Sequence, residues 1–256
     1  MQKPFPELTH LEVLLYGDVP LLPASFLVES APRLRELKLR SIPFPSIPKL
    51  LLSANDLVTL SLHDIPDSGY ILPDAIATAL TVMIRLESLR PLFRSPRSRP
   101  DPASRPLPPP TRFALPALTE PIFIGAHGYL EDLLVRIDAP LLYNLYILFF
   151  MDLNFDVPQL HRFICHAEKF KTFDHAEVLI FDHAILLGLY PKTGEVGHRT
   201  WLELRISCRE LQWQLSPLAQ VCSSFFPFIP TLEELEIRES DNRKPSHWED
   251  DMEDAQ

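Results

Sequence analysis

The stretch PRLRELKL, residues 32–39, decides the fold. It reads proline, any residue, leucine, two residues, leucine, one residue, leucine. The same frame recurs as Pro6, Leu8, Leu11, Val13, as Pro140, Leu142, Leu145, Ile147, and as Pro230, Leu232, Leu235, Ile237. Another copy, Pro116, Leu118, Pro121, Phe123, carries proline in its middle slot. Copies without the leading proline fill the gaps: Leu57, Leu60, Leu62; Leu86, Leu89 with Pro91 in the last slot; Phe173, Ala176, Val178; and Trp201, Leu204, Ile206.

The phrases begin at 8, 34, 57, 86, 118, 142, 173, 201 and 232, so their spacing runs from 23 to 32 residues. That matches the leucine-rich-repeat period of roughly 20–29 residues, stretched at some steps. The second and third slots lie two residues apart, so they point to one face of a short strand. The first enters the same core from the preceding turn. One repeat alone cannot bury that face, but stacked repeats bury it together. The expected fold is therefore α/β: a leucine-rich-repeat solenoid (horseshoe) with a parallel concave sheet and convex helices and loops. Adjacent parallel strands are expected, with Leu37, Leu39, Leu60, Leu62, Leu145, Ile147, Leu235 and Ile237 buried.

The segments between phrases return the chain along the convex side. Proline entries followed by apolar periodicity predict helices over 73–84, 158–167 and 217–226, and 129–137 reads similarly. Pro158-Gln159-Leu160 mimics the phrase but follows Leu142 by only 18 residues, so it reads as a helix start. Ile185 to Tyr190 reads as an extra strand, leaving through a turn at Pro191-Lys192-Thr193-Gly194. Nine prolines between 91 and 116 argue against helix and sheet there. Residues 94–111 are expected to be a disordered Arg/Pro-rich insert. Within it, Arg105-Pro106-Leu107-Pro108-Pro109 begins like a polyproline-II ligand, with threonine where the final proline would fall. Ser95, Ser98 and Ser104 lie among arginines, a setting that suits basic-directed kinases. Residues 240–256 form an acidic tail.

Composition narrows the function. Seven glycines in 256 residues leave little for Gly-rich phosphate loops. A formal net charge of −10 repels phosphate backbones, so no nucleic-acid partner is expected. Three scattered cysteines (165, 208, 222) make no disulfide framework and fit a reducing compartment. No secretory leader opens the sequence. The longest apolar run, Leu141 to Met151, falls short of the roughly 20 residues that a membrane span needs. The chain is expected to be intracellular, cytoplasmic or nuclear, with no membrane partner.

The phrases PRLRELKL (32–39), LVTLSL (57–62), the insert ending PPPTRF (108–113), YLEDLL (129–134), APLL (139–142) and TLEELEI (231–237) resemble the leucine-rich-repeat region of fungal, basidiomycete-type F-box-like proteins. The resemblance spans nearly the whole chain. It implies the target-recognition part of a cullin–RING ubiquitin-ligase substrate receptor, with a protein target held on the concave face. No F-box precedes Pro6 and no polar cap follows Trp248. One repeat domain over 1–256, truncated at both ends, is therefore expected. A Skp-type adaptor is expected only where an F-box accompanies the repeats in the intact gene product. The slot after the strand, often Asn or Cys in other leucine-rich repeats, holds Ile42, Ile65, Phe150 and Phe181, which marks a divergent subtype.

No chemistry-bearing constellation competes strongly with this reading. His161, Cys165 and His166 share helical spacing, but Cys165 sits beside Phe163 and Ile164, where burial is the commoner role. No second ligand pair lies nearby, so no metal or other cofactor is expected. His175 and His183 flank a strand and read as surface or satisfied histidines. The pairs Glu131-Asp132 and Glu233-Glu234 read as solvating charge rather than as acid–base pairs. No nucleophile elbow appears, and no enzyme is expected. A free-standing interaction scaffold is the alternative, and a hydrolase on an α/β domain with leucine-rich strands the remote one.

Positions two, four and six after each phrase start point outward from the concave face. In the early repeats they are Glu36, Lys38, Arg40, Thr59, Ser61 and His63. In the middle they are Ile122, Ile124, Tyr146 and Leu148. In the last repeats they are Glu203, Arg205, Glu234, Glu236 and Arg238. A polar face that turns apolar at its centre has the makeup of a partner hot spot. The partner-binding residues expected from this pattern are Ile122, Ile124, Tyr146, Leu148, Lys38, Arg40, Arg205 and Arg238, with no catalytic, cofactor-binding or metal residue.

Overall fold

The computed structural model describes residues 5–14, 31–42, 47–66, 69–94, 112–150, 157–191, 200–207, 219, 223 and 231–239. The Arg/Pro-rich insert beyond Arg94, the acidic tail, Cys208, Cys222 and all but two residues of the helix expected over 217–226 lie outside the described residues.

Every phrase that the sequence marks lies on a strand: β1 His10–Leu14, β2 Glu36–Arg40, β3 Thr59–Ile65, β4 Ser88–Phe93, β6 Glu120–Gly125, β8 Asn144–Phe149, β9 His175–Phe181, β11 Trp201–Ser207 and β12 Glu234–Glu239. The expected extra strand is β10, Ala184–Tyr190. Two-residue strands β5, Phe113–Ala114, and β7, Ile137–Asp138, pair with each other outside the main sheet. Helices α1 Ile47–Ser53, α2 Pro73–Leu80, α3 His127–Leu134 and α4 Pro158–His166 form the second layer. They pack in file, α1 on α2, α2 on α3 and α3 on α4. The protein is thus a mixed α/β structure with one large open sheet.

A turn sets each strand's phase. The first-slot amide donates to the carbonyl three residues back at Leu8, Leu34, Leu57, Leu86, Leu118, Leu142 and Phe173, at 3.1–3.3 Å. Wherever the phrase begins with a described proline (6, 32, 116 or 140), that proline takes the second turn position. There its fixed φ is already suitable and no N–H is needed. The turn drives the first slot inward: Leu34, Leu57, Leu86, Leu118, Leu142 and Phe173 are all 0% exposed.

The next residue links neighbours. The carbonyls of Thr9, Arg35, Val58, Glu87, Thr119 and Asp174 each accept two consecutive amides of the adjoining repeat, at 2.7–3.2 Å. In-register parallel pairing follows, stacking Leu11 on Leu37, Leu37 on Leu60, Leu60 on Leu89 and Leu89 on Pro121. Pro91 and Pro121 lack the N–H that a ladder needs. The pairing of β4 with β6 lapses between Leu89 and Leu92. Proline therefore does not exclude sheet across the whole of 91–116: β4 runs through Pro91 to Phe93, and β5 starts at Phe113.

The strand order corrects the expectation of sequential neighbours. It runs β1-β2-β3-β4-β6-β8-β11-β10-β9-β12. The β9–β10 hairpin turns through Asp182 and His183, and β10 then pairs antiparallel with β11, which returns to lie parallel against β8. A two-residue hairpin loop makes that reversal compact. Strand β11 is also shifted by two residues from the sequence reading. Leu202 and Leu204, not Leu204 and Ile206, pair with Leu145 and Ile147. The amide of Trp201 bonds the Tyr143 carbonyl, the contact made elsewhere by the second residue after a first slot. Trp201 therefore occupies an outward position rather than a first slot.

The core lies between sheet and helices. Leu37, Leu39, Leu60, Leu62, Leu145 and Ile147 are buried in it, whereas Leu235 and Ile237 are 44% and 56% exposed. Those two sit on β12, an edge strand with no described strand beyond it. An aromatic group packs at the centre: Phe93 is 4.6 Å from Tyr129 between centroids, and Phe123 is 6.1 Å from each of Phe93 and Phe149. Gly125 is part of that packing, since a Cβ there would lie 2.9 Å from the rings of Phe93 and Phe123. Helix α1 escaped the sequence reading, because Pro43, Pro45 and Pro48 suggest loop. Ile137, expected at a helix end, belongs to β7.

Glu131 also differs from expectation. It is buried, and its carboxylate accepts the amides of Gln159 and Leu160 at 2.8 Å each, capping α4. Anionic groups stabilise helix N-termini, and Val157, at the cap position, has no side-chain oxygen for the task. Replacing Glu131 with Gln is expected to cost about 1–2 kcal/mol, because charged acceptors on buried amides count more than neutral ones. Chemical denaturation of the variant checks this. Leu60→Ala, deep in the core, is expected to cost about 2–5 kcal/mol by the same measurement.

Candidate functional site

The helices cover one face of the sheet. Among the described residues, no helix packs on the other. Strand alternation places the second and third slots toward the helices and the intervening residues on this helix-free face. Pairing aligns those residues in rows. Lys38, Ser61 and Arg90 form one paired row, and Ile122, Tyr146 and Glu203 continue its line beyond the lapse in β4–β6 pairing; Arg40 and His63 pair in the next line, which Leu92, Ile124, Leu148 and Arg205 continue beyond the irregularity in β3–β4 pairing.

The middle of these rows is apolar. Leu92, Ile124 and Tyr146 form a buried cluster separate from the main core, flanked by half-buried Ile122, Leu148, Phe150 and Trp201. The sequence reading assembled Ile122, Ile124, Tyr146 and Leu148 correctly on two neighbouring strands. Pointing outward does not leave Ile124 and Tyr146 exposed: they are 7% and 8% exposed because their neighbours pack around them. The sequence reading missed Trp201 through the two-residue shift of β11, and it did not count Leu92 and Phe150. For Trp201, Leu202 and Leu204 offer the same two-apart spacing as Leu204 and Ile206, so the sequence leaves two phases open.

The N-terminal half of the face is polar and cationic. Lys38 pairs with Glu36 at 2.8 Å, and Arg40 with Asp64 at 3.1 Å. Asp64 adopts a positive φ of 49°, next to the irregularity in β3–β4 pairing after Leu62. Arg90 donates to the Ser88 hydroxyl at 3.1 Å and, among the described residues, has no carboxylate partner. Ser61 Oγ lies 2.6 Å from His63 Nε2. Carboxylates gather at the N-terminal ends of the strands. Glu36 is held below the usual carboxylate range by hydrogen bonds from Lys38 and His10. Glu120 accepts the Tyr143 hydroxyl at 2.5 Å, which pushes the Tyr143 pKa up. A hollow of about 300 Å³ lies over Lys38, Thr59, Ser88, Arg90 and Glu120.

The remaining expected cations belong elsewhere. The Arg205 guanidinium lies 5.8 Å above the Phe181 ring. Arg238 stands on the edge strand, paired with Glu177 and, at 3.1 Å, with Glu236. They lie on the same face as Lys38 and Arg40 but do not join them in one site. His161 Nε2 is 3.1 Å from Cys165 Sγ. Burial raises the thiol pKa and lowers that of the imidazole, which disfavours a thiolate there. Among the described residues, no three His, Cys, Asp or Glu side chains gather as metal ligands, and no helix is long and apolar enough to cross a membrane. His175 is buried rather than on the surface, with its ring 4.6 Å from that of Tyr190.

No family model, no curated protein and no solved structure matches this chain.

His63 offers a pH test. Burial, then the positive charges of Arg40, Arg90 and Lys38, depress its pKa below 6.5, with Asp64 opposing. The unfolded chain therefore binds the proton first as pH falls through this range, and stability drops with it. His63→Gln is expected to lose less melting temperature than the wild type between about pH 7.5 and about pH 5.5. Parallel losses in the two proteins would refute the assignment.

Proposed function

We propose that the helix-free face binds a protein, and that the chain is the target-recognition part of an F-box-type ubiquitin-ligase substrate receptor. The observation that carries the binding reading is the apolar strip of Leu92, Ile122, Ile124, Tyr146, Leu148, Phe150 and Trp201, on a face that bears no helix among the described residues. A sheet face that meets only water is polar at alternate positions. Clustered aromatic and aliphatic side chains there are the makeup of a binding hot spot. The ligase link rests on the resemblance of the repeat phrases to fungal F-box-like proteins.

A leucine-rich-repeat solenoid is the architecture proposed with it. The recurrent turn, the fully buried first slot and the shared carbonyl ladder support that reading, with β9–β11 a meander set into the array. Among the described residues, the serine and histidine side chains that meet are Ser61 and His63, at 2.6 Å. Ser61 is 1% exposed, which denies a hydrolase substrate access to its hydroxyl.

Two measurements test the proposal. A photo-crosslinking side chain at position 122 or 148 is expected to give a defined protein adduct in cells, whereas one at exposed Lys49 on α1 gives none. Equal labelling from all three positions would overturn the binding face. The intact gene product is expected to co-purify with a Skp-type adaptor and a cullin; partner binding without them would favour a free-standing scaffold. Once a partner is in hand, Tyr146→Ala with Leu148→Ala is expected to weaken binding by about 2 kcal/mol or more, and Glu236→Ala at the edge to leave it unchanged. Melting curves separate a lost contact from a lost fold.

A further inference from the structure

The cationic half of the face adjoins the apolar strip, and among the described residues one of its charges has no carboxylate partner. Lys38, Ser61 and Arg90 stand side by side on β2, β3 and β4, and Ile122 and Tyr146 continue the same line on β6 and β8. Lys38 and Arg40 have carboxylates beside them. Arg90 is half-buried, its Nε is held by Ser88, and no described carboxylate pairs with it. A guanidinium fixed at one nitrogen and partly withdrawn from water presents its remaining N–H groups as a fork suited to an oxyanion.

We propose that Arg90, with Lys38 and His63, seats an oxyanion of the bound protein, so that the recognised segment pairs an acidic group with a large apolar side chain. This rests on the reading of the face as a protein-binding surface and names the chemistry of the partner. Burial is the main reason the His63 pKa is lowered, and the surrounding positive charges add to it: Arg40 and Lys38 face it from β2 and Arg90 from β4, with Asp64 on its own strand opposing. The carboxylates lining the hollow, Glu36, Glu87 and Glu120, lie at or just before the N-terminal strand ends; Glu36 bonds Lys38 and His10, and Glu120 accepts from Tyr143.

Geometry sets the spacing of the ligand. Arg90 and Tyr146 are two strands apart, about 10 Å at the usual strand separation. A peptide laid across the strands in polyproline-II conformation, with three residues per turn and about 3.1 Å per residue, covers that distance and returns to the same side in three residues. The recognised pattern is an oxyanion at one position and a Leu or Phe three residues later. Glutamate, aspartate and phosphoserine all carry the required chemistry.

Fluorescence anisotropy on the full chain tests this with labelled nonapeptides. They carry Glu, phosphoserine or Gln at the first position of the pattern and Phe at the fourth. The Glu or phosphoserine peptide is expected to bind about tenfold or more tightly than the Gln peptide, the loss typical of a charge-assisted hydrogen bond. Their ratio tells carboxylate from phosphate. Arg90→Gln is expected to erase the preference while the Gln peptide binds as before. Lys38→Gln gives a smaller effect of the same sign, and Arg238→Gln none. Equal affinity for all three peptides, or a preference that survives Arg90→Gln with the melting temperature intact, would overturn the oxyanion seat and leave the apolar binding face standing. No binding by any peptide would also overturn it, and the crosslinks from positions 122 and 148 then judge the binding face separately.

Discussion

The structure depends on a carbonyl oxygen that serves two masters. At Thr9, Arg35, Val58, Glu87, Thr119 and Asp174 the residue after the first slot accepts two successive amides from the next repeat. A carbonyl oxygen has two lone pairs and accepts two donors, and here both come from one neighbouring strand, so this position locks the phase of one strand to the next. Once the phase is locked, every second and third slot falls on the helix side and every intervening residue on the opposite side. The core and the proposed binding face are two readings of one hydrogen-bond register.

That dependence explains what the sequence revealed and what it hid. The phrase frame is local: a turn, a buried first slot and two strand positions, all within eight residues. It located nine of the ten strands of the main sheet, and the alternation placed Ile122, Ile124, Tyr146 and Leu148 on the helix-free face. What the frame lacks is any statement about neighbours. Nothing in Phe173, Ala176 and Val178 says that β9 skips past β8, because pairing is decided by the Asp182–His183 hairpin and by the strands that arrive later. The fault at Trp201 has a simpler cause. Three apolar residues, Leu202, Leu204 and Ile206, lie two apart and follow Trp201, so the frame fits in two phases, and only the amide bond to Tyr143 selects one. Leu235 and Ile237 fit the phrase as well as any buried pair, yet an edge position leaves them exposed.

Charge on the helix-free face is sorted along the strands as well as across them. Acids collect at the strand N-terminal ends, and cations stand one or two positions further on, at Lys38, Arg40 and Arg90. Like charges directly opposite one another would oppose sheet formation, and here Lys38 and Arg90 are separated by Ser61. The same serine keeps the two cations within reach of one ligand. Glu131, by contrast, looked in sequence like an ordinary surface acid. Its role depends on the turn that brings the start of α4 beside α3, and that proximity is not written in either segment.

The meander of β9, β10 and β11 also bears on how the chain is assembled. Strands β1, β2, β3, β4, β6 and β8 can join a growing edge one at a time, each onto the strand made just before it. Strand β9 cannot, because its two partners, β10 and β12, both lie later in the chain. Synthesis therefore passes through an interval in which β8 offers an open parallel edge and no strand yet made will cover it. The edge is closed only when β11 emerges, more than 50 residues after β8. Exposed parallel edges are the points at which slow folding and mispairing concentrate. The hairpin turn at Asp182–His183 thereby governs how long the unfinished sheet is vulnerable during its own synthesis.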